Sequence, residues 1–105
     1  MNGTLRSPGG GIAVSTTERG LPVGLMISEH ELGRPAAELA AEILVLCQLS
    51  GQRLQVSRRQ QLLDSGLSPA TLEGLGLATV ADLERTEAKL AESGGDEDDP
   101  WSGPA

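Results

Sequence analysis

The sequence has no phenylalanine or tyrosine, and its single tryptophan, Trp101, stands among the last five residues. Any core must be built from Leu, Val, Ile, Ala and Met, and at 105 residues it is thin. There is one cysteine, Cys47, so no disulfide can form within the chain, and its place on an apolar stripe reads as a small buried hydrophobe. There is one histidine, His30, between Glu29 and Glu31. A metal site needs three or four convergent ligands, and most nucleophile arrangements need a histidine with partners that nothing here singles out, so His30 reads as a solvated loop residue. No cofactor and no catalysis are expected. Lysine is also nearly absent: Lys89 is the only one, and the net charge is −7. Phosphate backbones are bound by concentrated Lys and Arg, so bulk charge disfavours nucleic acid. No apolar run reaches signal-peptide length or the roughly 20 residues of a membrane span. The expectation is a cytoplasmic protein without membrane insertion.

What is present begins with short alternating runs. Gly3-Thr4-Leu5-Arg6 fits an edge strand, and Ser7-Pro8-Gly9-Gly10-Gly11 breaks it. Ile12, Val14 and Thr16 fall on one side of a second strand, and Leu21, Val23, Leu25 and Ile27 on one side of a third. Glu18-Arg19-Gly20 closes the hairpin between them, with glycine last to supply a positive φ. Gly24 in the third strand suggests a bulge or a close backbone approach, and Pro22 makes its start a poor ladder donor. The spacing then predicts a long helix opening at Pro35, with Ala36, Leu39, Ala40, Ile43, Cys47 and Leu54 as the stripe that covers the sheet. An unbroken run to Ser65 is roughly 46 Å long, so its second half needs a further partner. Gly51 beside Ser50 marks either a close helix crossing or a bend. Glu38 and Glu42 are read on the outer face near the helix start, where negative charge is favoured.

Beyond Gly66, Ser68-Pro69 opens a short turn holding Leu72 and Leu75, and Thr79 with Asp82 resembles a capping box that starts a helix over 80–92. Val80, Leu83 and Leu90 share one of its sides, interrupted by Glu87. The remainder reads as an acidic disordered tail. The fold class is therefore α+β: a small three-stranded antiparallel sheet and one long helix over 1–66, a short helical extension over 67–92, and a tail over 93–105. A sheet and helix of this size leave apolar surface uncovered, which predicts a dimer, with Leu39, Ile43, Cys47 and Leu54 as its core or dimer face. Charge is uneven: residues 1–63 carry six Arg against five Glu, +1, and residues 64–105 two basic against ten acidic, −8. Arg53, Arg58 and Arg59 form the one positive cluster and are read as sharing one broad side near the helix end, a candidate DNA or partner patch.

The stretches Ser7-Pro8-Gly9-Gly10-Gly11-Ile12-Ala13-Val14-Ser15, Gly20-Leu21-Pro22-Val23-Gly24-Leu25-Met26-Ile27 and Leu39-Ala40-Ala41-Glu42-Ile43 resemble the middle and end of the YbaB/EbfC family, nearest to its EspH-like branch associated with type VII (ESX) secretion. The resemblance covers about residues 3–63 and lacks the family's first helix. It implies a small non-enzymatic homodimer, an interaction or adaptor protein associated with type VII secretion. The alternative it implies is a nucleoid-associated protein that binds double-stranded DNA. No DNA-contact residue carries over from it. Leu72 to Leu83 is similar to one half of the helix-hairpin-helix-type segment in the C-terminal domain of bacterial RNA polymerase α subunits. Asp98-Asp99-Pro100-Trp101 is similar to the acidic tips by which single-stranded DNA-binding proteins recruit partners.

Overall fold

The computed structural model describes residues 2–98, with side chains through Glu92. Strands β1 (Asn2–Arg6), β2 (Ile12–Thr17) and β3 (Pro22–Ile27) form an antiparallel sheet in that order. A 3₁₀ turn (Glu29–Gly33) leads to a long helix α1 (Ala36–Asp64), then a short α2 (Pro69–Glu73) and α3 (Val80–Asp98). The fold is α+β, as the alternation of patterns predicts.

Two tight links make β2 the central strand. In the first, Gly10 N–H donates to Ser7 O at 2.9 Å, and Ser7 Oγ accepts from Ile12 N–H at 3.2 Å. In the second, Gly20 takes φ 82°, its N–H donates to Thr17 O, and the Thr17 hydroxyl accepts from the N–H groups of Arg19 and Leu21. Register is regular from Ile12 opposite Ile27 to Ser15 opposite Gly24. It then shifts so that Thr16 faces Pro22, which leaves Val23 as an extra residue. Gly24 thus adjoins a bulge. A Cβ on it would meet Ser15 Cβ at an ordinary 3.5 Å, so no backbone presses on it there.

Ile12, Val14 and Thr16 are fully buried beneath α1. The Thr16 hydroxyl donates to Ser50 Oγ at 2.7 Å, and Ser50 donates in turn to Gly3 O at 3.4 Å, so a polar pair is satisfied inside an apolar interface. Gly51 lets the helix come this close. A Cβ there would lie 2.7 Å from Gly20 N, 2.9 Å from Gly20 Cα and 3.0 Å from Glu18 O. The close approach at Gly51 is to the hairpin turn rather than to another helix, and α1 passes through it as one 29-residue helix.

The second half of α1 finds its partner in α3. Leu49 and Leu46 join Ile12, Val14, Cys47 and Leu90 in one buried cluster, with Leu5, Leu39, Ile43, Val45 and Leu83 packed against it. Helix α1 is therefore buried on two flanks, one by the sheet and one by α3. This is why Leu46 and Leu49, off the single stripe read from periodicity, are among its most buried residues, while Ala36 and Ala40 on that stripe are exposed. At its end Leu67 N–H donates to Leu62 O and Gly66 N–H to Leu63 O, the paired bonds of a Schellman stop. Ser68 Oγ caps α2 by accepting from Thr71 N–H. Thr79 and Asp82 exchange two bonds, Thr79 N–H to Asp82 Oδ2 at 2.9 Å and Asp82 N–H to Thr79 Oγ1 at 3.2 Å, a reciprocal cap on α3.

Four expectations are corrected. Glu42 is not on an outer face: it is 2% exposed and bonded to Arg34. The buried side of α3 is Leu83, Thr86 and Leu90, spaced i, i+3, i+7, whereas Val80 is exposed. Leu75 is exposed where Leu72 is buried, because α2 spans only five residues and presents a single buried position. Helix α3 also continues to Asp98, so residues 93–98 extend its backbone rather than opening a tail. The residues after Asp98, including Asp99, Pro100 and Trp101 of the acidic tip, lie outside those described.

Candidate functional site

Helix α1 packs on β2 and β1 but leaves β3 almost uncovered. Leu25 stands opposite Val14, and Ile27 opposite Ile12, so both project to the helix side of the sheet. Val14 is 1% exposed there and Leu25 is 49% exposed. The difference is the reach of one helix: it covers about two strands, and the third lies beyond its flank. Leu21, Val23 and Met26 of the same segment are also exposed, Met26 to 71%. Leu44 adds to this surface from α1. It precedes Gly51 by seven residues, about 20° away in helical phase, and Gly51 touches the hairpin turn. Leu44 therefore lies on the β3 flank of the helix, and it is 69% exposed.

The four residues read from the sequence as a core or dimer face all point the other way, into the protomer. Cys47 is buried; Leu39, Ile43 and Leu54 are half-buried. Leu54 lies over Gly3, where a Cβ would come within 3.2 Å of Leu54 Cγ. Burial pushes the Cys47 thiol up from its ordinary pKa, which keeps it protonated and suits an apolar filler. The exposed surface is instead Leu21, Val23, Leu25, Met26 and Leu44, which periodicity alone assigns to the sheet's covered face or to no face.

The arginine cluster does not exist as one patch. At 100° per residue Arg53, Arg58 and Arg59 point to roughly three thirds of the helix circumference. Arg53 reaches Glu87 of α3 at 3.4 Å, and Arg58 bonds Glu18 of the hairpin turn. The Glu18 hydrogen bond, reinforced by its charge, holds the Arg58 guanidinium above its ordinary pKa. Arg59 lies near enough to Asp82 to help lower that carboxyl, a shift caused first by the hydrogen bonds from Thr79. Arg53 and Arg58 thus make exposed ion pairs with different elements, α3 and the hairpin turn, and the three arginines do not converge on one surface.

A second polar group was not legible in the sequence. Arg34 Nη1 donates to Glu31 at 2.9 Å and to Glu42 at 2.6 Å, with both carboxylates largely shielded from solvent. His30 Nε2 lies 3.3 Å from Glu31, and its Nδ1 lies 3.2 Å from Ser28 Oγ. Ser28, His30 and Glu31 have the residue types of a nucleophile relay. However, the Ser28 hydroxyl donates to the carbonyl of Gly11, which can only accept. The array therefore pins the 3₁₀ turn to the first loop and to α1. The one signal that could have found it is Arg34 immediately before Pro35, eight residues from Glu42.

On the far side of the hairpin turn, an open cleft of about 320 Å³ is lined by Arg19, Gln48, Gln52, Gln55 and Asp82. Gln55 spans it, donating to Glu18 O and accepting from Ala78 N–H, both at 2.9 Å. Among the described residues no helix is long and apolar enough to cross a membrane. In comparisons with known proteins, no family model, no curated protein and no solved structure matches this chain.

Proposed function

We propose that the chain is a non-enzymatic interaction protein that self-associates as a homodimer and acts as an adaptor associated with type VII secretion. The observation that carries the interaction reading is the uncovered apolar flank of Leu21, Val23, Leu25 and Met26 on β3 with Leu44 on α1. A thin aromatic-free core cannot spare this much apolar surface, and contiguous patches of this kind mark contact sites. The link to secretion rests on the resemblance of residues 3–63 to the EspH-like branch. Double-stranded DNA is the weaker reading: Arg53 and Arg58 already pair with acids, and the chain carries −7.

Light scattering across micromolar concentrations tests the dimer: a mass of about twice 10.9 kDa is expected. Pairwise two-hybrid tests against the proteins encoded beside it in a secretion locus test the adaptor role. At least one should bind, and Leu44→Asp should abolish that contact; no binder among them refutes the role.

A further inference from the structure

The free edge of the sheet is unlike its other edge. Strand β1 carries Arg6 and polar Asn2 and Thr4, and Leu54 lies over its Gly3. Strand β3, Pro22-Val23-Gly24-Leu25-Met26-Ile27, carries no charge. Natural sheets protect edges with charges, prolines and bulges. Here the proline and the bulge both sit at the turn end, at Pro22 and Val23, and Gly24 to Ile27 is left as a plain apolar edge.

The ladder fixes which backbone groups that edge offers. Ser28 N–H donates to Gly11 O across the β2–β3 pair. Antiparallel pairs alternate, so Met26 and Gly24 bond toward β2, while the N–H and C=O of Leu25 and Ile27 point outward. We infer that the occupant of this edge is a second copy of the chain, paired β3 to β3 in antiparallel fashion about a two-fold axis at Leu25, which joins the two sheets into one of six strands. This rests on the homodimer reading above and assigns its interface.

Two features favour a copy over a foreign strand. An antiparallel pairing of a strand with itself is self-complementary by symmetry, as an isologous contact requires. Charge is complementary as well, although each chain carries −7. The ends of the strand are marked by opposite signs, Arg19 before it and Glu29 after it, both exposed. The two-fold brings the Arg19 end of each strand against the Glu29 end of the other, and no charged residue lies between. The pairing also withdraws Leu21, Val23, Leu25 and Met26 from water on the two faces of the joined sheet, with Leu44 bordering the seam. A strand this short needs those side chains to approach the roughly 1,000 Å² of a stable contact.

Cross-linking tests the register. In Leu25→Cys the two introduced thiols face each other across the axis, at a Cα separation of about 5.5 Å, inside the range of about 4.4–6.8 Å that a disulfide tolerates. Mild oxidation should give a covalent dimer in non-reducing electrophoresis, and Thr4→Cys on the other edge should give none. Leu25→Lys, at a half-exposed position, should halve the mass seen in light scattering while the helical circular dichroism stays unchanged. If the wild type is dimeric but Leu25→Cys does not cross-link, whether or not Thr4→Cys does, the interface lies elsewhere, and this inference fails while the homodimer reading stands. A folded Leu25→Lys that keeps the dimer mass overturns it in the same way. A wild type that is monomeric at every concentration overturns both. Should Leu25→Lys unfold, the cross-link alone decides.

Discussion

Replacing Gly51 by alanine tests the packing of α1 on the hairpin, because two effects of opposite sign compete there. In an exposed helix interior the change stabilises by about 1 kcal/mol, through helix propensity. Here the new methyl carbon would stand 2.7 Å from Gly20 N, 2.9 Å from its Cα and 3.0 Å from Glu18 O. All three are backbone atoms, and none can swing aside as a side-chain end would. Gly20 is held by its bond to Thr17 and by a φ of 82°, and the Glu18 carbonyl is held by Gln55. Relief must come from lifting the helix off the turn, which also strains the Thr16–Ser50–Gly3 bonds one residue away. Overpacking of this kind costs roughly 1–3 kcal/mol, so the net result is a loss on the order of 1 kcal/mol. For a chain of this size that lowers Tm by about 4–8 °C. Urea titration followed by circular dichroism at the helix band measures it, with Gly33→Ala as a control, since nothing lies within 4 Å of a Cβ there. A Gly51→Ala protein more stable than the wild type would show that the helix does not press on the turn.

Three further outcomes are expected. Glu42→Gln takes the charge from a shielded carboxylate that Arg34 bonds; neutralising one partner of such a pair costs up to about 3 kcal/mol, readable as a lower urea midpoint, and an unchanged midpoint would place the group in solvent. Asp82 is held below its ordinary value of 3.8 by the Thr79 cap, so the stability it adds is present above that pH and is lost as pH falls through the lowered value; Asp82→Asn should flatten this part of an acid titration of Tm, and parallel curves would refute the cap. Reversing Arg58 and Arg59 to Glu places like charges beside Glu18 and near Asp82; because these groups are exposed and screened by solvent, it should lower the urea midpoint only slightly, and neither wild type nor variant should shift duplex DNA in a low-salt gel, whereas a wild-type shift abolished by the reversal would restore the DNA reading.

Much of the backbone was decided by the sequence through local rules. Alternation at Ile12, Val14 and Thr16, the closing glycine at Gly20, the proline before α1, the Gly66 stop and the Thr79–Asp82 cap each act within a few residues, and each is found where the pattern puts it. What periodicity could not give was which face of each element a neighbour covers, because that depends on where α3 returns and how far one helix reaches. The return of α3 buries Leu46, Leu49 and Leu90 together and spreads the three late arginines among different acids. The width of α1 leaves Leu25 in the open while Val14, its cross-strand neighbour, is sealed. Glu42 shows the same division. On the sequence it is one more carboxylate near a helix start, and only the fold brings Arg34 across to it and closes both from water.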